Sequence, residues 1–330
     1  MDKAKTMRND TKLVTVFGGS GFVGRYVVKA LAERGYRVRV ACRRPDLAGF
    51  LRPLGTVGQV QPIQANLRYP ASVAKAVEGA DAVVNLVGIL YNSGKQSFDA
   101  VQARGARTIA EATKVAGISS LVHMSAIGAD ASSDIDYART KAEGEAAVLE
   151  AVPQAVIVRP SIVFGPEDEF FNRFADMATM APALPLIGGG HTEFQPVYVG
   201  DVAEVIARGV DGALEQGATY ELGGPRVASF KECLSLMLDT IHRKKAMLPI
   251  PFGIAKIQGT ILGLLPKPLL TKDQVCLLEH DNVVSEGAIA SGHTFEGLGI
   301  NPQSMETILP TYLGRFRPYG QFATKPAKPA

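Results

Sequence analysis

The sequence predicts an α/β protein with a doubly wound parallel sheet and a smaller C-terminal lobe, and two observations support that prediction. Short apolar runs with strand-like composition alternate with helical patterns through the first half of the chain. In addition, the first run breaks into regularly spaced glycines immediately before a helical pattern. Strands separated by crossover helices pair in parallel, so the two features together indicate one central sheet with helices on both faces.

The strand-like runs lie far enough apart for a helix between most of them. A helical pattern at 197–210 and a short strand at 219–222 are expected to return to this core. The sequence therefore predicts a sheet domain at 11–166 with a return at about 195–225, a smaller lobe for docking at 167–194 and 226–318, and a flexible tail at 319–330. The expected strands of the core are 14–17, 38–41, 60–64, 82–87, 121–124 and 155–158.

The glycine-rich segment after the first strand predicts a dinucleotide-binding turn. Gly18 permits the sharp turn from strand to helix, Gly21 lets a pyrophosphate approach the backbone, and Gly24 permits tight packing of the helix. The helix is expected to start at about Phe22 and to end at Gly35. Its N-terminal N–H groups and the positive end of its dipole favour a bound diphosphate.

The end of the second strand indicates which dinucleotide is bound. The acid that would hold the adenosine ribose is missing, and Cys42, Arg43 and Arg44 occupy that region. A guanidinium binds a 2′-phosphate through two hydrogen bonds, whereas a carboxylate repels it. The sequence therefore favours NADP(H) over NAD(H). The alternative is a solvated loop, which is the usual meaning of two arginines after a strand.

Composition excludes several other classes of function. The 330 residues carry 35 basic and 32 acidic side chains without a dominant basic block, so no nucleic-acid partner is expected. Cys42, Cys233 and Cys276 lack close pairing, which fits a reducing compartment and argues against disulfides or a zinc knuckle. The five histidines are scattered without ligand spacing, so no metal is expected.

Neither an export signal nor a membrane-spanning helix is predicted. The segment 1–12 is charged and has no apolar run. Apolar residues are densest at 246–270, but prolines and lysines interrupt that stretch. The low-complexity end of the chain is expected to be loosely held.

Tyr137 and Lys141 form the candidate reactive pair. They are four residues apart, so on a helix they share one face and reach the same ligand. A nearby ammonium favours the phenolate form of a tyrosine, and a lysine also holds a ribose hydroxyl. Such pairs are common on solvated helices, but the position of this helix, after the fourth strand beyond the glycine turn, favours hydride chemistry.

These motifs resemble those of the extended and atypical short-chain dehydrogenase/reductases, which have a Rossmann-like fold. The resemblance includes the glycine turn, Tyr137 with Lys141, and an Arg-Pro-Ser-Ile-Val-Phe-Gly-Pro segment at 159–166. In that superfamily a hydroxyl residue a little beyond the fifth strand partners the tyrosine. Here Ser125 is present, but Ile127 occupies the usual hydroxyl position and cannot donate to an oxyanion. The resemblance therefore implies a vestigial triad, unless a shifted loop lets Ser125 substitute.

Most of the chain, about 11–318, also resembles the nucleotide-binding accessory subunits of respiratory complex I (NADH:ubiquinone oxidoreductase). This resemblance implies a tightly held NADPH that takes no part in quinone reduction, in a subunit beside the junction of the hydrophilic and membrane arms. Other complex I subunits are then the expected partners. The lack of a transit peptide points to a peripheral protein on the cytoplasmic face of a bacterial inner membrane. The segments that carry the resemblance are 159–174, 195–203, 248–252, 270–275 and 281–284.

The candidate cofactor-binding residues come from the glycine turn, the ends of the following strands and the reactive pair. No metal ligand is among them. The candidates for NADPH are Gly18, Ser20, Gly21, Phe22, Val23, Gly24, Arg43, Arg44, Asn66, Leu67, Val87, Gly88, Ser125, Tyr137, Lys141, Pro160 and Ile162.

The apolar stretch 247–270 is the candidate docking surface. Apolar residues recur there at helical spacing, a pattern that most often marks plain core. The complex I resemblance favours contact with partner subunits and the membrane surface instead. Basic residues at the edges of the patch, Lys256, Lys267, Lys272, Arg315 and Arg317, suit anionic lipid headgroups. The apolar stripe is Ile254, Ile257, Ile261 and Leu265.

The sequence is compatible with two functions. The favoured one is an accessory subunit that binds NADPH to stabilise or assemble complex I, without catalytic turnover. The alternative is a free-standing NADP-dependent reductase, epimerase or dehydratase of the atypical short-chain class, which the Tyr137 and Lys141 pair supports.

Overall fold

The computed structural model describes residues 12–263, 265, 268 and 270–320. Lys267, most of the N-terminal segment 1–12 and the expected tail beyond residue 320 lie outside the described residues. The strands are β1 (Leu13–Phe17), β2 (Arg37–Cys42), β3 (Val60–Gln64), β4 (Ala82–Asn85), β5 (Ser120–Met124), β6 (Val156–Pro160), β7 (Val163–Phe164), β8 (Ala183–Ile187), β9 (Glu193–Phe194), β10 (Val197–Tyr198), β11 (Thr219–Leu222), β12 (Ala228–Ser229) and β13 (Ala246–Ile250). The α-helices are α1 (Phe22–Glu33), α2 (Pro70–Val77), α3 (Arg104–Val115), α4 (Asp136–Ala151), α5 (Phe171–Met180), α6 (Val199–Val210), α7 (Phe230–Thr240), α8 (Phe252–Leu262), α9 (Lys272–Leu277), α10 (Glu286–Ala290) and α11 (Met305–Tyr312).

The central sheet has seven strands in the order β11-β6-β5-β4-β1-β2-β3, and neighbouring strands pair in parallel. Its strands are rich in buried β-branched residues, as expected for a sheet covered on both faces. From β1, the strands β2 and β3 follow to one side of the sheet, whereas β4, β5 and β6 follow to the other, so the direction reverses between β1 and β4. Ligands bind outside the carboxyl ends of the strands at such a switch point. The predicted fold class, a Rossmann-like doubly wound parallel sheet, is confirmed.

Two predicted elements differ from the structure for local reasons. The strand expected at 82–87 ends at Asn85, because the Asn85 side-chain oxygen accepts a hydrogen bond from the Val87 N–H at 3.1 Å and turns the chain. The helical pattern at 197–210 begins with β10, which pairs in parallel with β7, and becomes helical only from Val199. Both differences lie at element ends, where a single side-chain or strand contact decides the backbone conformation.

The chain divides into two compact units. Within the described residues, unit 1 comprises 12–160, 199–222 and 284–299, and unit 2 comprises 161–198, 223–283, 300–320. Sequence analysis places 284–299 in the smaller lobe, whereas the structure places it in unit 1. There the Ser285 N–H donates to the Glu221 carboxylate at 2.8 Å, and the Glu221 N–H donates to the His293 carbonyl at 3.0 Å.

Unit 1 is built around the seven-stranded sheet. On one side α6 packs beside α1, and Arg34 at the end of α1 forms ion pairs with Glu204 at 2.7 Å and Asp211 at 3.0 Å. Gly35 follows α1 with a φ of +83°, which is the left-handed conformation expected of a helix-ending glycine. These contacts hold α1, which follows the glycine turn, beside α6.

Unit 2 has its own core of aromatic and aliphatic side chains contributed by α5, α7, α11 and short strand pairs. In this core the Phe170 ring packs edge-to-face on Phe171 and in a tilted arrangement on Phe230. Asp168 is buried beside this core and accepts hydrogen bonds from the Phe170 N–H at 3.0 Å and the Tyr312 hydroxyl at 2.6 Å. The buried carboxylate thus connects the start of α5 to α11.

Helix α8 presents an apolar face to solvent. Ile254, Ile257 and Ile261 are 52%, 64% and 63% exposed, and Leu265 is 49% exposed. The helical spacing predicted from the sequence is therefore present, but the stripe is not plain core. No helix in the described part of the chain is long and apolar enough to cross a membrane.

Candidate nucleotide-binding site

The candidate site residues of unit 1 gather at one edge of the sheet. Each follows, ends or faces the carboxyl end of one of the parallel strands β1 to β6. The glycine turn follows β1, Arg43 and Arg44 follow β2, Asn66 and Leu67 follow β3, Val87 and Gly88 follow β4, Ser125 follows β5, and Pro160 ends β6. Tyr137 and Lys141 lie on α4, whereas Ile162 belongs to unit 2. Parallel pairing alone brings these separated segments together.

The glycine turn has little room for side chains. Gly18 has a φ of +78°, and a Cβ there would lie 3.0 Å from the Leu86 carbonyl carbon. A Cβ on Gly24 would lie 2.2 Å from the Gly18 carbonyl oxygen, so Gly24 lets α1 pack against the turn itself. Gly21 is exposed and precedes the first residue of α1. The first-turn N–H groups of Phe22, Val23 and Gly24 lack helical partners and remain able to bind a phosphate.

Both arginines at the end of β2 make side-chain contacts. Arg44 chelates Asp46, with Nη2 at 2.8 Å and Nε at 3.0 Å from its carboxylate oxygens. This pair raises the pKa of Arg44 through the hydrogen bonds and charge of Asp46. Arg43 instead donates from Nη1 to the Gln96 side-chain oxygen at 2.5 Å. Of the two, Arg43 is the cation whose partner is uncharged.

Asn66 and Leu67 shape the loop after β3. The Asn66 side-chain oxygen accepts from the Arg68 N–H at 3.1 Å, and the Asn66 backbone exchanges hydrogen bonds with the Ser72 hydroxyl at 3.0 Å. Leu67 lies against α3, where a Cβ on Gly105 would come within 2.8 Å of it. The loop is therefore fixed by its own side chains.

Asn85 and His123 pair across neighbouring strands below the β4 loop. They are register partners of β4 and β5, and Asn85 Nδ2 lies 2.9 Å from His123 Nδ1. Burial, together with the nearby charge of Lys141, lowers the pKa of His123 to about 3. His123 is therefore neutral, and Asn85 fixes the loop that carries Val87 and Gly88.

Lys141 is buried beside this loop. Its Nζ donates to the Met124 carbonyl at 3.3 Å and lies 3.4 Å from where a Cβ on Gly88 would be. Burial lowers the pKa of Lys141 to about 8. An ammonium at the carboxyl ends of β4 and β5 is in place to hold a hydroxyl-bearing ligand there.

The pKa of Tyr137 differs from the value expected from the sequence. The half-buried ring packs edge-to-face on Phe98, with ring centroids 5.7 Å apart. Burial raises the pKa of Tyr137 to about 12, whereas the sequence analysis expected Lys141 to favour the phenolate. Desolvation of the phenol is the cause of this rise. The tyrosine is thus a weak acid or base at neutral pH.

Ser125 is buried, and its hydroxyl is unpaired. Only 1% of the residue is exposed, and Oγ has no hydrogen-bond partner. Because burying an unpaired hydroxyl is costly, an unsatisfied Oγ at this edge fits a site that receives a polar ligand. Ile127, two residues further on, is 8% exposed, and its N–H donates to the Pro160 carbonyl at 3.0 Å. Ile127 thus contributes a buried apolar side chain and a backbone contact to the end of β6.

Sequence analysis missed two buried polar residues that hold α4 in place. Thr140 donates to the Gln102 side-chain oxygen at 2.9 Å, and Gln102 Nε2 donates to the Ile89 carbonyl at 2.9 Å. These bonds tie the helix of Tyr137 and Lys141 to the loop after β4. The sequence carried no clear signal for Thr140, because its neighbours at helical spacing, Asp136, Tyr137, Glu143 and Gly144, do not form an apolar face.

The residues present fit a nicotinamide dinucleotide. A Cβ at the glycine turn would take up the space next to the backbone, and the α1 N-terminus supplies N–H donors. Ser125 and Lys141 supply polar groups at the other end of the same edge. When bound, such a cofactor supplies hydride chemistry. The residues of the glycine turn, Ser125 and Lys141 would bind and orient it.

Comparison with known proteins identifies the family. The family described as NAD dependent epimerase/dehydratase matches residues 14–223. The chain belongs to this family. Its membership supports binding of a nicotinamide nucleotide cofactor, as expected from the glycine turn.

Similar proteins confirm the resemblance to complex I subunits. NADH dehydrogenase (ubiquinone) 1 alpha subcomplex subunit 9, mitochondrial, of Arabidopsis thaliana is 35% identical over 320 residues, which cover 93% of this chain and 79% of the relative. The protein of that name from Mus musculus is 33% identical over 325 residues, covering 96% and 85%. A ceramide reductase of Caulobacter vibrioides is 34% identical over 175 residues, covering 53% of this chain and 54% of the relative.

Solved structures agree on the fold. The dTDP-glucose 4,6-dehydratase DesIV from Streptomyces venezuelae, with NAD and TYD bound, superposes with a TM-score of 0.69 at 20% identity. The match covers 92% of this chain and 96% of DesIV. At this identity the likeness supports the fold of the family member and says nothing of its substrate.

Proposed function

We propose that the chain is an accessory subunit of respiratory complex I that binds NADPH structurally and stabilises or assembles the complex near the junction of its hydrophilic and membrane arms. The observation that carries this proposal is the identity of at least 30% with complex I subunits over more than nine-tenths of the chain. The partners are then other complex I subunits. The protein is peripheral, on the cytoplasmic face of a bacterial inner membrane.

The choice of NADPH rests on the end of β2. No acid stands there to hold a ribose 2′-hydroxyl, and the exposed guanidinium of Arg43 has only an uncharged partner. A phosphate monoester accepts two parallel hydrogen bonds from such a fork. Arg44 contributes less, because Asp46 already occupies its guanidinium.

The proposed absence of turnover rests on Ile127 and Tyr137. Ile127 removes a hydroxyl donor, and removal of one oxyanion donor typically costs about two to three orders of magnitude in rate. The pKa of Tyr137, raised to about 12, further disfavours proton transfer at neutral pH. Binding without chemistry still stabilises the fold: a ligand at a thousand times its dissociation constant adds about 4 kcal/mol.

The exposed face of α8 is the proposed docking surface of unit 2. Its three isoleucines expose apolar area that a partner would cover, and burial of apolar area is the main favourable contribution to association. The basic residues that the sequence assigns to anionic lipid differ from one another in whether they have an acidic partner. Lys272 is exposed, whereas Lys256 pairs with Glu279 at 2.8 Å. We therefore propose that lipid headgroups contact the edge of the patch through Lys272.

The assembly can be tested by mild-detergent purification of the native protein from its membranes. Mass spectrometry of the co-purifying chains and quantification of the released nucleotide give the result. Complex I subunits with near-stoichiometric NADPH support the proposal. A lone soluble protein, or one that carries NAD(H) or no nucleotide, contradicts it.

The docking surface needs a separate variant. The triple variant Ile254→Ser, Ile257→Ser and Ile261→Ser is expected to keep NADPH but to lose co-purification with the complex. Val57 and Val115 are 107% and 88% exposed on unit 1 and serve as a matched control when both are changed to serine. If the control detaches as readily as the α8 variant, the docking assignment is wrong.

The second candidate, an NADP-dependent reductase, epimerase or dehydratase, is favoured by one observation. Ser125 offers an unpaired hydroxyl at the edge of the sheet where Lys141 lies. Under this alternative, Tyr137→Phe abolishes turnover of a carbonyl substrate while nucleotide binding is nearly unchanged. Under the accessory proposal, the same variant assembles normally and changes cofactor affinity at most.

A further inference from the structure

One side-chain contact crosses the candidate cofactor site. Arg43 follows β2, Gln96 belongs to the loop after β4, and β1 lies between these two strands in the sheet. The 2.5 Å hydrogen bond from Arg43 Nη1 to the Gln96 side-chain oxygen therefore spans the carboxyl end of β1, where the glycine turn lies. We call the loop segment 89–98 the strap.

The strap is held in shape by its own hydrogen bonds. Ser93 and Gln96 exchange two backbone hydrogen bonds of 2.8 and 3.0 Å, around a turn in which Gly94 has a φ of +54°. The Asn92 side-chain oxygen accepts from the Phe98 N–H at 2.8 Å. Gln96 is thus presented by a pre-formed turn rather than by a freely moving chain.

Both ends of the strap are anchored in unit 1. At its start, the Ile89 carbonyl accepts from Gln102 Nε2 at 2.9 Å. At its end, buried Phe98 packs on the ring of Tyr137. The position of Gln96 is therefore set by contacts with Gln102 and with the ring of Tyr137.

The contact leaves the guanidinium able to bind a phosphate. Arginine has five N–H donors, and Gln96 occupies a single Nη1 donor, so Nε and Nη2 remain for two phosphate oxygens. An arginine that is already fixed loses less side-chain entropy when it binds. The amide is neutral and does not repel the phosphate. Arg44, held by the Asp46 carboxylate, lacks these properties.

We propose that Gln96 is a specificity-determining positioning residue for NADPH, which holds the Arg43 guanidinium ready for the 2′-phosphate. The inference rests on the proposed binding of NADPH. Its consequence is that discrimination between NADPH and NADH depends on a residue of the β4 loop.

The test compares nucleotide binding by the purified full chain and its Gln96→Ala variant, using NADPH, NADH, 2′,5′-ADP and 5′-ADP in titration calorimetry. Gln96→Ala is expected to weaken NADPH and 2′,5′-ADP about fivefold to tenfold. NADH and 5′-ADP should bind as before. The dissociation rate of NADPH, followed by its fluorescence, should rise. Gln61→Ala, a change of an exposed glutamine on β3, is the control and should alter none of these values.

The double variant separates positioning from a direct contact. In the Arg43→Ala background, Gln96→Ala should cause no further loss of NADPH affinity, because there is no guanidinium left to position. Equal weakening of NADPH and NADH by Gln96→Ala, or an unchanged affinity for NADPH, overturns the inference while the proposed NADPH function stands. Wild-type protein that binds NADH as tightly as NADPH overturns both.

Discussion

Asn85 and His123 stand directly opposite each other on β4 and β5, with Asn85 Nδ2 2.9 Å from His123 Nδ1. The Asn85 oxygen already accepts from the Val87 N–H, so its amide nitrogen faces the histidine as a donor. Nδ1 must then accept, which assigns the proton of the neutral ring to Nε2. The pair keeps a second positive charge away from Lys141.

Acid stability should depend on this histidine. The pKa of His123 falls from 6.5 to about 3 on folding, so between these pH values the unfolded chain binds a proton that the native protein does not. The free energy of unfolding should therefore fall with falling pH over that window, by up to about 1.4 kcal/mol per pH unit from this group. Urea unfolding from pH 7 to pH 4 measures the slope.

The variant His123→Gln should have a shallower slope than the wild type over the same range. His191 is exposed, and the same substitution there should keep the wild-type slope. An identical slope in wild type and His123→Gln would show that the buried ring does not control acid stability.

Gly24→Ala should disrupt the nucleotide-binding turn. The added Cβ would lie 2.2 Å from the Gly18 carbonyl oxygen, so the turn must move. We expect a loss of about 1–3 kcal/mol in unfolding free energy and loss of measurable NADPH binding. Gly49→Ala is the matched control, because a Cβ there meets no atom within 4 Å. Tight NADPH binding by Gly24→Ala would contradict the assignment of the turn.

Arg159 should contribute strongly to the stability of unit 1. It forms a two-bond ion pair with Glu145 on α4, at 2.9 and 2.6 Å, and lies 3.5 Å from Glu221 on β11, and both carboxylates are buried. Arg159→Met leaves two buried acids without their cation and should cost about 3–5 kcal/mol. The exposed pair of Arg107 with Glu150 is the control, where Arg107→Met should cost at most about 1 kcal/mol. Similar losses in urea unfolding for both variants would refute this account.

Tyr312→Phe should destabilise unit 2. It removes the hydroxyl that donates to the buried Asp168 carboxylate at 2.6 Å, and hydrogen bonds to charged groups contribute about 1.5–3 kcal/mol. Tyr319 is 70% exposed, and Tyr319→Phe should leave stability unchanged. Chemical unfolding of the two variants measures the difference in unfolding free energy. Equal stability of Tyr312→Phe and wild type would contradict the prediction.

The features that could be predicted depend mostly on local patterns in the sequence. The central strands and the glycine turn depend on side-chain period and on backbone angles that glycine alone adopts freely, and both are visible in the sequence. Parallel pairing then places the ends of β1 to β6 at one edge, which is why Arg43, Gly88 and Lys141 were found as a group. The candidate residues remain predictions of ligand contact.

Contacts between distant segments were not predictable in the same way. The contact between the strap and Arg43 was not predicted, because it depends on the strand order, in which β1 lies between β2 and β4. The pKa of Tyr137 was expected to fall, but burial of the ring raises it. This burial depends on the side chains that surround the ring in the folded protein. Exposure of the α8 stripe likewise depends on what the rest of unit 2 leaves uncovered.

The sequence by itself determined the fold class, the dinucleotide-binding turn and the helix of Tyr137 and Lys141, because each follows from spacing along a short segment. Tertiary structure decided the unpaired hydroxyl of Ser125, the neutral His123 and the bond between Arg43 and Gln96. These depend on solvent exclusion and on partners far apart in the chain. Desolvation and hydrogen-bond geometry arise only once the strands have assembled.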